Sequence, residues 1–223
     1  MNGLINGFKA IAPSIPYIMN GIWVTLAIAL VASIIGLVLG TLLSLCKIGR
    51  IKILNSFARG YTSVFRGTPL IMQLALAYFA IPQLLGINNV DPFTAAVLTF
   101  GLNSGAYMSE IIRSGINAVD KGQFEAASAL GVRYWSMMKD IILPQAIKNI
   151  LPAMMNEFIS LTKESAIVST ISVTDLMRRS QIVSAQYYLY FPPMFVAFIL
   201  YYIVVMVLTF LGGRLERRLS RSD

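Results

Sequence analysis

Two sets of polar residues recur at helical spacing inside apolar stretches of the chain. The first set follows i, i+4, i+7 and the second follows i, i+3, i+7: Asn103, Tyr107 and Glu110, and then Glu157, Ser160 and Glu164. If the segments are helical, each set forms one stripe along its helix. Amide, hydroxyl and carboxylate groups in a protected cavity can bind the ammonium, carboxylate and side chain of a zwitterionic solute. The two stripes therefore predict a polar cavity.

The predicted binding residues lie at one depth. Placing the start of segment 147–165 at the cytoplasmic face puts its centre near Asn156 and Glu157, while segments 93–115 and 68–86 bring other polar groups to a similar level. A charged residue inside a membrane costs about 2.5–3.5 kcal/mol on insertion scales, so a functional role is expected for Glu157. The candidate substrate-binding residues are Tyr78, Asn103, Tyr107, Asn156, Glu157 and Ser160.

Structural roles compete with solute binding at several of these positions. Asn103 could instead form hydrogen bonds between helices, a common use of amides in membranes. Glu110 stands three residues before Arg113, a spacing that favours a structural ion pair. Glu157 has no obvious cation on its own helix, so it either lines the cavity or is a protonated carboxyl satisfied by a neighbouring helix.

The elements that carry these residues must lie in a membrane. The chain is 57% hydrophobic and 13% charged, with a mean hydropathy of +0.70, which a soluble fold of 223 residues cannot bury. A helical span needs about 20 apolar residues, and the alternating strands of a membrane barrel are absent from the pattern. The first apolar run is too long for a signal peptide, so a retained helix is expected. Five spans are predicted: 21–46, 68–86, 93–115, 147–165 and 194–213.

Basic residues predict the orientation of an all-α integral membrane protein. The loop after the first span carries five cations and no acidic residue, and the C-terminal tail is also basic. Five spans then run from an outside N-terminus to an inside C-terminus, although Arg178 and Arg179 in the outer segment 166–192 oppose the rule. The two clusters are Lys47, Arg50, Lys52, Arg59 and Arg66, and Arg214, Arg217, Arg218 and Arg221. Topology explains the net charge of +8 better than nucleic-acid binding does.

The longest hydrophilic loop, residues 117–146, predicts a short helix. Asp120 suits an N-cap, with Gln123 reaching back to it, and Gly131 suits a helix C′ position. A second amphipathic piece returns to the membrane, where Pro144 is expected to end or bend it. From the residues alone, this helix pair could lie on lipid or bind a partner.

The spacing within this loop also resembles a known family. Glu125-Ala126-Ala127, three residues, Gly131, nine residues and Ile141-Ile142-Leu143-Pro144 match the EAA motif of ABC-importer permeases. Other runs are similar to the polar amino-acid uptake permeases, with the type I membrane architecture, across nearly the whole chain: Arg66-Gly67-Thr68-Pro69-Leu70, Asn156-Glu157-Phe158-Ile159 and Lys163-Glu164-Ser165-Ala166.

This resemblance implies a transport subunit that works in an assembly in a prokaryotic plasma membrane. The expected partners are two ATPase subunits, a second permease that is identical or homologous, an extracytoplasmic amino-acid-binding protein and membrane lipid, but no nucleic acid. The sequence has no G-x-x-x-x-G-K-[ST] motif, so ATP and Mg are expected on the ATPase and no cofactor on this chain. One domain, 15–215, should include the coupling loop 117–146, whose predicted ATPase-coupling residues are Glu125, Ala126, Ala127, Gly131 and Pro144.

The cargo is less defined than the class. An ionised Glu157 favours arginine, lysine or histidine, but a carboxylate can also pair with the ammonium of any amino acid, so glutamine or another neutral polar amino acid stays open. An autonomous channel or secondary transporter is a different class, and it would need no ATPase-docking loop. With one cysteine, no histidine and no paired midplane aspartates, the sequence offers no Cys/His metal site and no convincing catalytic set.

Two glycine pairs predict close helix packing without chemistry. Gly36 and Gly40 lie four residues apart in the first predicted span, and Gly101 and Gly105 repeat the spacing in the third. Small residues at this spacing let helix backbones approach each other.

Overall fold

The computed structural model describes residues 2–49 and 51–219, and this part of the chain is helical with no β-strand. Arg50 and Arg221, which the orientation argument used, lie outside the described residues. The helices are α1 Asn2–Ile11, α2 Ile15–Met19, α3 Gly21–Ile48, α4 Lys52–Gly67, α5 Leu70–Ala75, α6 Ile81–Leu85, α7 Pro92–Asn117, α8 Lys121–Ala129, α9 Tyr134–Ser136, α10 Leu143–Glu164, α11 Leu176–Tyr187 and α12 Phe191–Leu219. Wide π-helical turns join α5 to α6 and α9 to α10, and a 3-10 turn follows α10.

Within residues 2–49 and 51–219, two helical stretches are long and apolar enough to cross a membrane by themselves. They are Gly3–Ile48 and Phe191–Arg218. A third candidate is the bent pair of α4 with Leu70–Leu85, whose two arms meet at 102°. The remaining predicted segments, 93–115 and 147–165, lie within or largely within α7 and α10.

The helices α3 and α7 form the most extensive helix pair of the fold. A Cβ atom added at Gly36 would lie 2.5 Å from Ser104 Oγ, and one added at Gly40 would lie 2.5 Å from Met108 Cβ. On the facing helix, Gly101 leaves similar room for Ile35. The prediction that the glycine pairs serve close packing is confirmed.

Four helices share one apolar core beside this seam. Ile28 of α3, Leu74 of α5, Phe100 of α7 and Leu161 of α10 are buried together. Burial of such side chains gives the bundle its apolar interior and fixes the relative positions of the helices that carry the polar stripes.

The basic segment between α3 and α5 is a helix, where the sequence predicted only a connecting loop. Helix α4 exposes Ile53 and Phe57 on one face and buries Ala58 and Thr62 on another. The N-terminal segment is also helical, and Phe8 of α1 contacts Phe191 and Phe195 edge to face.

Candidate functional site

Glu157 lies half-buried on α10, beside groups of α7 and α4. Its carboxylate faces Ser104 of α7 and is within electrostatic range of Arg66 of α4 and Glu164 of its own helix. The contact with Ser104 is looser than a standard hydrogen bond, because the Ser104 hydroxyl has no partner in hydrogen-bond geometry. Glu157 and Glu164 thus place two carboxylates on one face of α10, and the guanidinium of Arg66 lies nearby.

A cavity of about 350 Å³ lies beside Arg66. The Arg66 guanidinium stacks over the Tyr107 ring, with its carbon 5.3 Å from the ring centroid, and both side chains line the cavity with Glu110 and Asn149. A guanidinium that lies over an aromatic ring can still use its N–H donors, because they point outward in the plane of the guanidinium itself. Arg66 thus borders this cavity and also acts electrostatically on Glu157.

Asn103 is buried between helices and its amide hydrogens are in use. Its Nδ2 donates to the Phe65 carbonyl and to Gln73 Oε1, both at 3.0 Å. Gln73 in turn donates to the Phe65 carbonyl at 2.8 Å. This network favours the interhelical role, one of the two roles that the sequence left open for Asn103.

The other candidate ligands occupy different surroundings. Tyr78 packs against the four-helix core, Ser160 is half-buried, and Asn156 is exposed on α10. Successive residues of a helix point about 100° apart, so Asn156 and Glu157 face different sides of α10.

Glu110 is held by two cations. Arg113 Nη2 lies 2.7 Å from Glu110 Oε2, as the spacing predicted, and Lys47 Nζ lies 2.6 Å from Oε1. Lys47 also donates to Ser109 Oγ at 2.8 Å. The bond from Lys47 could not be read from the sequence, because 63 positions separate it from Glu110.

The coupling loop begins with the predicted capped helix. Asp120 accepts a hydrogen bond from the Gly122 N–H at 2.6 Å, but Gln123 uses its backbone N–H, bonding the Asp120 carbonyl at 3.0 Å. Gly131 has φ +70°, and the N–H groups of Gly131 and Val132 bond the carbonyls of Ser128 and Ala127. This is a Schellman end, so the predicted role of Gly131 as a C′ residue is confirmed.

Helix α8 has one buried face and one free face. Ala127 is buried with Val119 and Met137, whereas Glu125 and Ala126 are exposed. Beyond the helix, Leu130 and Trp135 have exposed fractions of 83% and 75%. The loop thus presents small and apolar residues outward.

Pro144 neither ends the chain's return helix nor breaks it. The chain stays helical from Tyr134 to Glu164, and a π-helical turn over Met137–Ile142 comes just before the proline. A proline has no N–H for the preceding turn, and a wider turn accommodates the missing bond without ending the helix. Of the two outcomes expected at Pro144, an end of the helix is wrong, and a bend stays a prediction.

Segment 166–192 contains a buried carboxyl. Asp175 caps α11 by accepting from the Arg178 N–H at 2.8 Å, and Tyr201 donates to its other oxygen at 3.1 Å. Burial raises the pKa of Asp175 to about 6, although these hydrogen bonds lower it. Arg179 stacks on the Tyr17 ring and donates to the Tyr17 carbonyl, which gives this arginine a packing role outside the basic clusters.

The chain has close counterparts among known proteins. Residues 32–221 match the model of the binding-protein-dependent transport system inner membrane component. The chain belongs to this family. The predicted family and its role as a membrane transport subunit are thereby confirmed, and the relatives are permeases rather than ATPases.

Relatives of this transport family align over almost their full length. The arginine transport system permease protein ArtQ of Bacillus subtilis is 55% identical over 97% of this chain and 98% of that protein. A candidate glutamine transport system permease, GlnP, of Rickettsia felis is 53% identical over 93% and 94%. A crystal structure of an amino acid ABC transporter with histidines covers 95% of this chain and 98% of its own, with 42% identity and a TM-score of 0.91.

Proposed function

We propose that the chain is the membrane-spanning subunit of an ATP-driven, binding-protein-dependent importer of polar amino acids in a prokaryotic plasma membrane. The observation that carries this proposal is the 55% identity to an arginine permease over 97% of the chain. Helix α8 also supports the proposal, because its exposed alanine face and the complete EAA spacing around it suit a docking surface for the ATPase subunit.

Basic amino acids are the favoured cargo. Glu157 and Glu164 lie on one face of α10, which attracts a cation, while Arg66 is available for a carboxylate. The proposed set is completed by Ser160, Asn156, Tyr107 and Tyr78. Asn103 supports it by holding α7 against α4 and α5 through its hydrogen bonds to Phe65 and Gln73. Glutamine remains the second candidate, because a glutamine permease candidate is 53% identical.

The proposed assembly contains two permease subunits, two ATPases that bind ATP and Mg, and an extracytoplasmic binding protein. In this arrangement the domain 15–215 crosses the membrane five times, with its N-terminus outside and loop 117–146 inside. One five-helix bundle has little room for a central pathway, which supports pairing. Alternating access would open the cavity outward when the ATPases close and inward when they part.

Uptake by the reconstituted importer tests the cargo. Proteoliposomes containing the permease, its ATPase and its binding protein are supplied with labelled arginine, lysine, histidine or glutamine, comparing wild type with Glu157→Gln. We expect cationic uptake to fall at least tenfold, because the neutral amide removes the attraction for the cargo's positive charge. Basal ATP hydrolysis reports whether the variant assembles.

Glu216→Gln is the matched control, since Glu216 is an exposed carboxylate near the end of α12. An unchanged cargo panel in Glu157→Gln would remove this residue from the cargo site. Uptake of cationic cargo by the subunit alone, without ATP, would instead support an autonomous transporter.

A further inference from the structure

A second, strongly polar cavity shares Glu110 with the first but includes none of the proposed cargo-binding residues in its lining. Its volume is about 260 Å³, and it is lined by Lys47 from the end of α3, Arg59 from α4, and Glu110 and Arg113 from α7. Three cations face one carboxylate, which leaves a formal charge of +2 in a small space. Nothing in the proposed transport cycle uses this excess.

The single carboxylate is already committed. Lys47 and Arg113 occupy its two oxygens, at 2.6 and 2.7 Å. In the part of the chain that the structure describes, neither ion pair of this cluster includes Arg59. Lys47 is buried, so part of the positive charge lies in surroundings of low dielectric constant. Its electrostatic interaction with an anion is stronger there than in water. The cavity is built to attract an anion.

The helix beside the cavity has the form of a membrane-surface helix. Ile53, Phe57 and Val64 follow i, i+4, i+11 on α4, with exposed fractions of 80%, 65% and 60%. Lys52 and Arg59 lie seven residues apart on a different face. A basic face opposite an apolar face is typical of helices that lie in the lipid interface.

The direction of α4 fits the same placement. It meets the Leu70–Leu85 arm at 102°. If that arm crosses the bilayer, α4 lies close to the membrane plane, with its apolar side chains among acyl chains and Arg59 at headgroup depth. The cavity at the end of α3 then opens where lipid phosphates are found.

We propose that this cavity binds the phosphodiester headgroup of an anionic phospholipid, held between Arg59 and Arg113 with Lys47 behind them. Basic pockets between membrane helices are established binding places for such headgroups. The lipid would bridge α3, α4 and α7 without touching the cargo site. This proposal depends on the membrane placement of α4 and not on which amino acid is carried.

Thermal unfolding of the assembled importer in detergent tests it. Short-chain phosphatidylglycerol is titrated, with phosphatidylcholine of the same chain length and inorganic phosphate as parallel arms. We expect a saturable rise in Tm with phosphatidylglycerol alone. Arg59→Gln should weaken the midpoint of that titration about fivefold, since one basic residue near an anionic headgroup contributes on the order of a factor of five.

Arg214→Gln is the matched control, because Arg214 lies at the C-terminal end of α12 and outside the cavity lining. An unchanged titration for Arg59→Gln, or equal losses in both variants, would overturn the site. Saturation by inorganic phosphate at the same concentration would assign the cavity to a soluble anion. Loss of the ATPase from Arg59→Gln, with phosphatidylglycerol binding intact, would assign Arg59 to a protein contact.

Discussion

At the scale of single residues, burial decides which acids and amides are free to act. Asn103 uses its amide N–H groups for hydrogen bonds to neighbouring helices, and both carboxylate oxygens of Glu110 form ion pairs with cations. Glu157 has only a loose contact with Ser104. The two polar stripes therefore contain groups with very different capacity to bind a solute.

Asp175 gives a residue-scale prediction for pH. Its folded-state pKa of about 6 lies above the usual value, so the folded protein binds this proton more tightly than the unfolded chain. The stabilisation is full below about pH 4 and is lost as the pH rises through 6. We expect the Tm of wild type to fall relative to the Tm of Asp175→Asn as the pH rises from 4 through 6.

Asp91 supplies a control of opposite sign. It caps α7, and hydrogen bonds from the Thr94 hydroxyl and N–H lower its pKa. Its contribution is present above its unfolded-state pKa and fades as the pH falls, so Asp91→Asn should lose its effect at low pH. Parallel pH profiles for the two variants would contradict the assignment at Asp175.

At the scale of helices, close backbone approach holds α3 against α7. We predict that Gly40→Ala destabilises the protein by about 1–3 kcal/mol, the range for overpacking, because the new methyl group would meet Met108 Cβ and the Ser109 backbone. Gly60→Ala is the control, since its Cβ would meet nothing within 4 Å. The measurement is the SDS unfolding midpoint, and equal midpoints would refute a tight seam.

Helix α8 provides a second test at this scale. Ala126 and Ser128 are both exposed but point about 200° apart. If the exposed Ala face docks the ATPase, Ala126→Arg should prevent co-purification of the ATPase, because the long charged side chain would keep the two surfaces apart. Ser128→Arg should retain it. Retention by both variants would mean that the exposed Ala face is not the docking surface.

Periodicity and spacing predicted the elements that depend on local chemistry. Gly36 and Gly101 marked the α3–α7 seam, and Asp120 and Gly131 marked the ends of α8. The sequence pattern did not predict α4, because its cations Lys52, Arg59 and Arg66 were interpreted as a topology signal rather than as one face of an amphipathic helix. It also missed the Lys47–Glu110 bond, since contacts between distant positions leave no periodic trace. The sequence placed Pro144 at a break in the helix but did not predict the π-helical turn that precedes it.

At the scale of the molecule, the proposed orientation can be tested directly. In a Cys46→Ser background, a cysteine is introduced by Asn88→Cys between α6 and α7 or by Ser128→Cys in α8. A membrane-impermeant maleimide should label the first only in right-side-out vesicles and the second only in inside-out vesicles. Labelling of both sites from the same side would exclude the arrangement with an outside N-terminus and an inside C-terminus.

The glycine seam between α3 and α7 also has a mechanical consequence. Two helices whose backbones interlock at Gly36 and Gly40 cannot slide past each other by a fraction of a turn without collision. We expect α3 and α7 to move together as one rigid unit. Bending should instead occur at the two π-helical turns, Leu76–Ala80 and Met137–Ile142. The second turn lies between α9 and α10, the helix that carries Glu157, so we expect a displacement of loop 117–146 to reach this carboxylate through a deformable turn.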